Sequence, residues 1–191
     1  MPGKDFEVVQ AVVAGDREAY ASLVRAYQGL VVRFCLSFLS SSAEAEDAAQ
    51  DVFVKAYQAL PRFRGNSSFS TWIYRIASNH CKDLLRKRAR QKTESWEALV
   101  EREGEKIEHL FSASEPTPLP PEHTELITNV LSHLPLKNRT ILVLRDVQGL
   151  SYAKIASILD CSLDAVKARL RRARRELGDK VRHFIKQEAS K

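Results

Sequence analysis

Apolar residues recur at three- and four-residue intervals along most of this chain and nowhere alternate in twos, which commits it to helices and leaves no candidate strand. Phe6, Val9 and Val13 open the pattern, and Ala19, Leu23, Tyr27, Leu30, Phe34 and Phe38 continue it. Asp16 is placed to cap a helix ahead of Ala19, while Gly29 and the serines at 40–42 punctuate the next segments. A helix over residues 43–60 puts Ala45, Ala48, Ala49, Val52, Phe53, Ala56 and Leu60 on one stripe, with Glu46, Asp47, Gln50, Asp51 and Lys55 opposite. Pro61 stops it. Past the loop Arg64-Gly65-Asn66-Ser67-Ser68, a helix over residues 69–90 has the stripe Trp72, Ile73, Ile76, Ala77, Cys81 and Leu84. Its other face carries Arg75, Ser78, Asn79, Lys82 and Arg86.

The pattern breaks over residues 91–122, which turn acidic and then proline-rich, with Pro116, Pro118, Pro120 and Pro121 close together. That composition makes a flexible linker, apart from a short helical pattern over 96–111. Fully extended it would reach on the order of 100 Å, and as a coil it averages roughly 30 Å. Helical spacing then resumes over 125–133, 136–147, 152–159 and 163–184, with Pro135 and Gly149 separating the first three. The expected fold is all-α: two small helical domains, residues 1–90 and 123–191, joined by the linker 91–122.

The net charge of +6 is unevenly spread. Residues 62–92 carry nine basic groups and one acidic, residues 126–191 fourteen and six, and the intervening 93–125 only two and nine. Concentrated positive charge is the footprint of a polyanion binder, and here nucleic acid is favoured over membrane. A basic helix face flanked by aromatics suits a single-stranded or partly opened nucleic acid, which needs charge and stacking surface together. Cys35, Cys81 and Cys161 are too far apart in sequence to form a zinc knuckle or a small disulfide framework, so they are expected to be buried thiols in a reducing cytoplasm. No signal peptide opens the chain, and no apolar run approaches the roughly 20 residues a bilayer demands. His80, His109, His123, His133 and His183 have no ligand spacing, and His80 and Cys81 point about 100° apart on a helix. Nor is there a phosphate-binding glycine loop or a pair of catalytic carboxylates. The expectation is a cytoplasmic protein that is not an enzyme, with no metal, no cofactor and no small-molecule substrate.

The sharpest local signal runs from Ser151 to Lys167. Ile155 and Leu159 face inward one turn apart, Ala156 permits close helix crossing, and Asp160-Cys161-Ser162 forms a tight turn with Ser162 placed to cap the next helix. This is a helix-turn-helix pattern. Many such motifs have glycine where Asp160 stands, but aspartate tolerates the left-handed conformation better than most residues. In the second helix Leu163, Val166, Leu170, Ala173 and Leu177 keep the core stripe. Lys167, Arg169, Arg171, Arg172, Arg174 and Arg175 bring six cations within nine residues. A recognition helix enters the major groove with its N-terminal residues at base edges and later arginines on phosphates. Asp164, Lys167, Ala168 and Arg171 are expected to face bases, and Ser162, Arg169, Arg172 and Arg175 complete the contact set. A stand-alone helix-turn-helix regulator would account for this half but leave residues 64–79 without a task. A nucleic-acid-processing enzyme would need metal ligands or an acid–base pair.

Three ordered stretches resemble the extracytoplasmic-function (ECF) class of bacterial RNA polymerase sigma factors. They are Ala45-Glu46-Asp47-Ala48-Ala49-Gln50-Asp51-Val52-Phe53-Val54-Lys55-Ala56-Tyr57, then Phe63-Arg64-Gly65-Asn66-Ser67-Ser68-Phe69-Ser70-Thr71-Trp72-Ile73-Tyr74-Arg75-Ile76-Ala77-Ser78-Asn79, and the helix-turn-helix. The resemblance implies that Glu46, Asp47, Gln50, Asp51 and Lys55 dock on the clamp helices of core RNA polymerase. It implies that Asn79 and the loop of Arg64, Asn66, Ser67, Ser68 and Phe69 hold an extruded base of the non-template −10 strand. Arg75 and Lys82 would then lie on phosphates, and Trp72 would join the −10 contact set, although taken alone that residue favours core packing. The helix-turn-helix would read the −35 duplex. Housekeeping sigma factors carry paired tryptophans where this chain has Trp72-Ile73, so strand melting should be weaker and promoter choice more stringent. The resemblance also implies that the acidic linker threads the RNA path of polymerase, and that an anti-sigma protein, often membrane-anchored, covers both lobes.

Overall fold

The computed structural model describes residues 4–39, 41–88, 102–103 and 124–188. Every regular element among them is helical. They group into two compact units, one built on the helices before the linker and one on those after it. The linker, its short helical pattern included, lies outside the described residues apart from Arg102 and Glu103.

The N-terminal unit comprises α1 (Lys4–Val13), α2 (Arg17–Leu36), α3 (Ser42–Ala59) and α4 (Phe69–Arg88), with a 3-10 turn at Leu60–Arg62. Asp16 caps α2, its Oδ1 accepting from the Ala19 N–H at 3.1 Å. In α1 the buried edge is Val9 and Val12, three residues apart, and Val13, one further step round the helix, is half exposed rather than buried. The three alanines Ala45, Ala48 and Ala49 are buried with Val52, Phe53 and Ala56, so α3 lies close against α2.

Gly29 does not punctuate anything, because α2 runs through it without interruption. Burial of Leu23, Val31, Phe34 and Cys35 outweighs the roughly 1 kcal/mol that an interior glycine costs a helix. A Cβ at this position would meet only the mobile end of Arg33, at 3.4 Å. Gly29→Ala is therefore expected to stabilise the N-terminal unit by about 0.5–1 kcal/mol, read as a shift of its urea unfolding midpoint. A lowered midpoint would mean that the extra methyl is not accommodated.

Helix α4 is buried over a wider arc than its apolar stripe implies. Ile73, Ala77 and Cys81 are in the core as expected, but so are Tyr74 and Ser78, which lie four residues apart on the adjoining face. Tyr74 packs edge-on against Phe34, with ring centroids 5.3 Å apart, and this draws Ser78 inward from its expected polar face. Cys35 and Cys81 are fully buried free thiols, sulfur to sulfur 3.7 Å. Cys161, expected to be buried with them, is only half-buried because it sits in the turn of the other unit.

The C-terminal unit comprises α5 (Thr124–Ser132), α6 (Leu136–Leu142), α7 (Tyr152–Leu159) and α8 (Leu163–Glu188). The helix expected over 136–147 changes character part-way. At Val143–Val147 it widens into a π-helical turn, with the Gln148 N–H reaching back five residues to the Val143 carbonyl at 2.9 Å. Ile141, Leu142, Val143 and Leu144 are all buried, and α6 packs along α8.

Candidate nucleic-acid interface

In the N-terminal unit the outward face of α3 carries Glu46, Asp47, Gln50, Asp51 and Lys55, all exposed. Glu46 accepts from the Ser42 hydroxyl at 3.1 Å. Glu46 and Gln50 also border a groove of about 550 Å³ whose far side is formed by Gln28 and Arg33 of α2. Those two α2 residues extend the face and carry no sequence motif of their own.

Asp51 and Lys55 also turn toward a buried residue of α4. The Lys55 Nζ lies 2.6 Å from His80 Nδ1, and the Asp51 carboxylate is 3.4 Å from His80 Nε2, an ion-pair distance rather than a well-formed hydrogen bond. An ammonium can only donate, so Nδ1 accepts and the imidazole proton sits on Nε2 facing Asp51. Burial and then the Lys55 charge push His80 below its ordinary pKa of 6.5, with Asp51 and Asp83 opposing. Unfolded, the imidazole takes its proton near pH 6.5, whereas in the folded chain it stays neutral to lower pH. His80 thus contributes stability that is complete above about pH 6.5 and is lost as pH falls from there toward the folded-state pKa. Urea midpoints measured across this window should fall in the parent chain, and His80→Gln should flatten the slope. Equal slopes in both would remove His80 as its source.

The loop after α3 is built on aromatics. Phe63 and Phe69 are buried on either side of it, and Tyr27, Phe63 and Trp72 surround Phe69 at ring-centroid distances of 5.1, 6.0 and 5.5 Å. Phe69 is therefore a support beneath the loop and not a surface contact. Trp72 is half-buried against Phe63 and Phe69. Ser68 is exposed, but its hydroxyl oxygen caps α4 by accepting from the Thr71 N–H at 3.2 Å, so its first task is structural. Arg64 and Asn66 are exposed and Ser67 is half-buried. Along α4, Trp72, Arg75, Asn79 and Lys82 follow one another at steps of three, four and three residues, forming a single stripe that starts at the loop. Arg75 and Asn79 are exposed, while Lys82 is half-buried, its pKa lowered by that burial and then by the Arg86 charge.

In the C-terminal unit the turn between α7 and α8 is closed by backbone geometry. Asp160 adopts the left-handed conformation (φ 51°, ψ 59°), and the Cys161 N–H returns to the Ala156 carbonyl at 3.1 Å. Ser162 caps α8, its Oγ accepting from the Ala165 N–H at 3.1 Å, which leaves its own hydroxyl hydrogen to donate. Asp164, Lys167, Ala168, Arg169, Arg171, Arg172 and Arg175 are all exposed. Asp164, Ala168, Arg171 and Arg175 share one stripe of the helix opposite the buried Val166, Leu170, Ala173 and Leu177.

Two residues of α8 depart from expectation. Leu163 is 47% exposed and is not part of the core stripe, because it occupies the first helical position beside the turn. Arg174 does not belong to the cationic surface. It borders the buried stripe and makes a bidentate ion pair with Asp146 of the π-helical turn, its Nε 3.2 Å from Oδ2 and its Nη2 on Oδ1.

Two family models match the chain in this order, sigma-70 region 2 over residues 23–91 and sigma-70 region 4 over residues 124–177. The RNA polymerase sigma-H factor of Pseudomonas aeruginosa is 34% identical over 187 residues, covering 96% of this chain and 97% of its own. The ECF RNA polymerase sigma-E factor of Escherichia coli K12 is 35% identical over 186 residues, covering 95% and 96%. This chain belongs to the ECF sigma-factor family. The sigma factor's fold is shared with CnrH, solved in complex with the cytosolic domain of CnrY (TM-score 0.66, 23% identity, 96% and 97% of the two chains). It is shared also with the sigma factor RpoE of Bartonella quintana, solved with the anti-sigma factor NepR (TM-score 0.57, 21% identity, 87% and 96%). The protein is thus an alternative RNA polymerase sigma factor, and core polymerase and promoter DNA are its partners. Among the described residues of the sigma factor, no helix is long and apolar enough to cross a membrane, and no three His, Cys, Asp or Glu side chains gather as a metal site.

Proposed function

We propose that this sigma factor is a non-enzymatic, cytoplasmic specificity subunit made of three parts: residues 1–90 for core polymerase and the opened −10 strand, 91–122 as a spacer, and 123–191 for the −35 duplex. The observation that carries this reading is the unbroken stripe from the 64–68 loop along Arg75 and Asn79, cationic and amide-bearing beside a half-buried tryptophan. A strand with unstacked bases asks for that chemistry, since base stacking on aromatics is worth roughly 1–3 kcal/mol per base and phosphates want cations. Glu46, Asp47, Gln50, Asp51 and Lys55 form the core-docking face. Lys167, Ala168, Arg171 and Asp164 read base edges, with Ser162, Arg169, Arg172 and Arg175 on the backbone. Complexes of relatives with CnrY and NepR support regulation by an anti-sigma protein that covers the lobes. Such a partner, if membrane-anchored, would hold this factor at the inner membrane.

The test is reconstitution with bacterial core polymerase and run-off transcription from genomic fragments. Stoichiometric association and new start sites are expected, and the aligned upstream sequences define both promoter elements. Tight, salt-sensitive duplex binding by the chain alone, with no polymerase association, would turn the reading toward a stand-alone regulator.

A further inference from the structure

Helix α1 precedes the region-2 match and supplies none of the residues assigned above to polymerase or DNA. It is nonetheless packed on the 3-10 turn that leads into the 64–68 loop. Two adjacent side chains make the connection. The Phe6 ring lies 6.3 Å from that of Phe63 and so close beneath Gly65 that a Cβ there would stand 2.7 and 2.8 Å from its Cδ2 and Cε2 atoms. Asp5 accepts from the Tyr27 hydroxyl at 2.6 Å, and the Tyr27 ring packs on Phe69, which closes the far side of the loop. Gly65 holds a left-handed φ of 67°, a conformation that asparagine shares more readily than other residues with side chains. What fixes the loop is therefore the absence of a side chain at 65 together with the ring beneath it.

We propose that α1 is a positioning element for −10 strand recognition, with Phe6 as the floor on which the loop takes the conformation that accepts an extruded base. This rests on the reading of the loop as strand-binding. Phe6 touches no DNA in this scheme. It removes alternative loop conformations before binding, so that ordering the loop is not charged against the complex.

The experiment uses holoenzyme assembled with the full chain. The probes are a single-stranded oligonucleotide carrying the −10 sequence defined by the run-off start sites and a duplex carrying the −35 element. Phe6→Ala should weaken the single-strand complex about tenfold and leave −35 duplex affinity and polymerase association unchanged. Where that variant does not fold, Phe6→Leu keeps an apolar side chain of similar size without the flat ring and should show the same split. Gly65→Asn tolerates the backbone but drives a Cβ into the ring, and should lose about a hundredfold, well beyond Phe6→Ala. Combining it with Phe6→Ala should bring the loss back to about the tenfold of Phe6→Ala alone, because the clash goes with the ring. A loss of strand affinity that only tracks a fall in the urea midpoint of the N-terminal unit, or a double variant no better than Gly65→Asn alone, overturns the proposal. Asn66→Ala separates the two levels. Unchanged strand affinity there overturns the loop assignment and this proposal with it, whereas loss in Asn66→Ala with none in Phe6→Ala overturns the role of α1 alone.

Discussion

Arg174→Ala is expected to cost the C-terminal unit about 3 kcal/mol, and Arg175→Ala, its immediate neighbour in the same basic run, less than about 0.5. Arg174 holds Asp146 by two hydrogen bonds, and Asp146 is buried in the π-helical turn. Truncating the arginine strands a carboxylate away from water. It must then either stay charged at high desolvation cost or take up a proton. Arg175 is exposed and its loss strands nothing in the fold. Hydrogen exchange over α6 and α8 of the full chain reads the difference directly: protection should collapse in Arg174→Ala and persist in Arg175→Ala. Replacing both members of the pair with apolar side chains of similar size should recover most of the loss, since a buried ion pair is costly mainly when broken. Persistent protection in Arg174→Ala would mean that water reaches Asp146.

Lys167→Ala and Arg171→Ala are each expected to reduce −35-dependent initiation by about 10- to 100-fold, the 1–3 kcal/mol that a good base contact contributes. Both side chains are exposed in the first turns of α8, and Lys167 lies 3.5 Å from Asp164 in a solvent-exposed pair worth little by itself. Docking can therefore draw Lys167 onto DNA at small cost. Polymerase association should be unaffected, and so should initiation from a promoter that lacks a −35 element. An equal loss on both promoters would show that these residues act through general electrostatics and not by reading bases. Asp51→Ala should do the opposite, weakening holoenzyme assembly in a pull-down while sparing −35 recognition. Because Asp51 also faces His80, its effect on unfolding has to be measured alongside.

Which features can be read from the sequence depends on how local their causes are. The alanine-rich edge of α3 and its charged outer face repeat at helical intervals, and one strip of sequence contains everything needed to see them. The turn after α7 is legible for the same reason, since Asp160 and Ser162 act on backbone groups only a few residues away. Gly29 misleads because burial of α2 residues on either side of it overrides its intrinsic cost. The chemistry of Ser78 and the position of Phe69 beside a loop both suggest the surface, whereas aromatic partners from α2 decide where they sit. Arg174 is indistinguishable from its neighbours in composition, and only Asp146, arriving from another element, sets it apart. The Lys55–His80–Asp51 contacts and the Phe6–Gly65 approach join residues far apart in the chain, and no spacing rule announces either.

The distribution of the three thiols has a practical consequence for observing the protein at work. Cys35 and Cys81 are sealed in the N-terminal core, while Cys161 is partly open to solvent in the turn that launches α8. A maleimide dye added to the unmodified chain should therefore couple at Cys161 alone, seen as a single labelled peptide after digestion. That places a fluorophore one residue before the Ser162 cap. Promoter engagement could then be followed in real time as a change in emission, without removing a native cysteine.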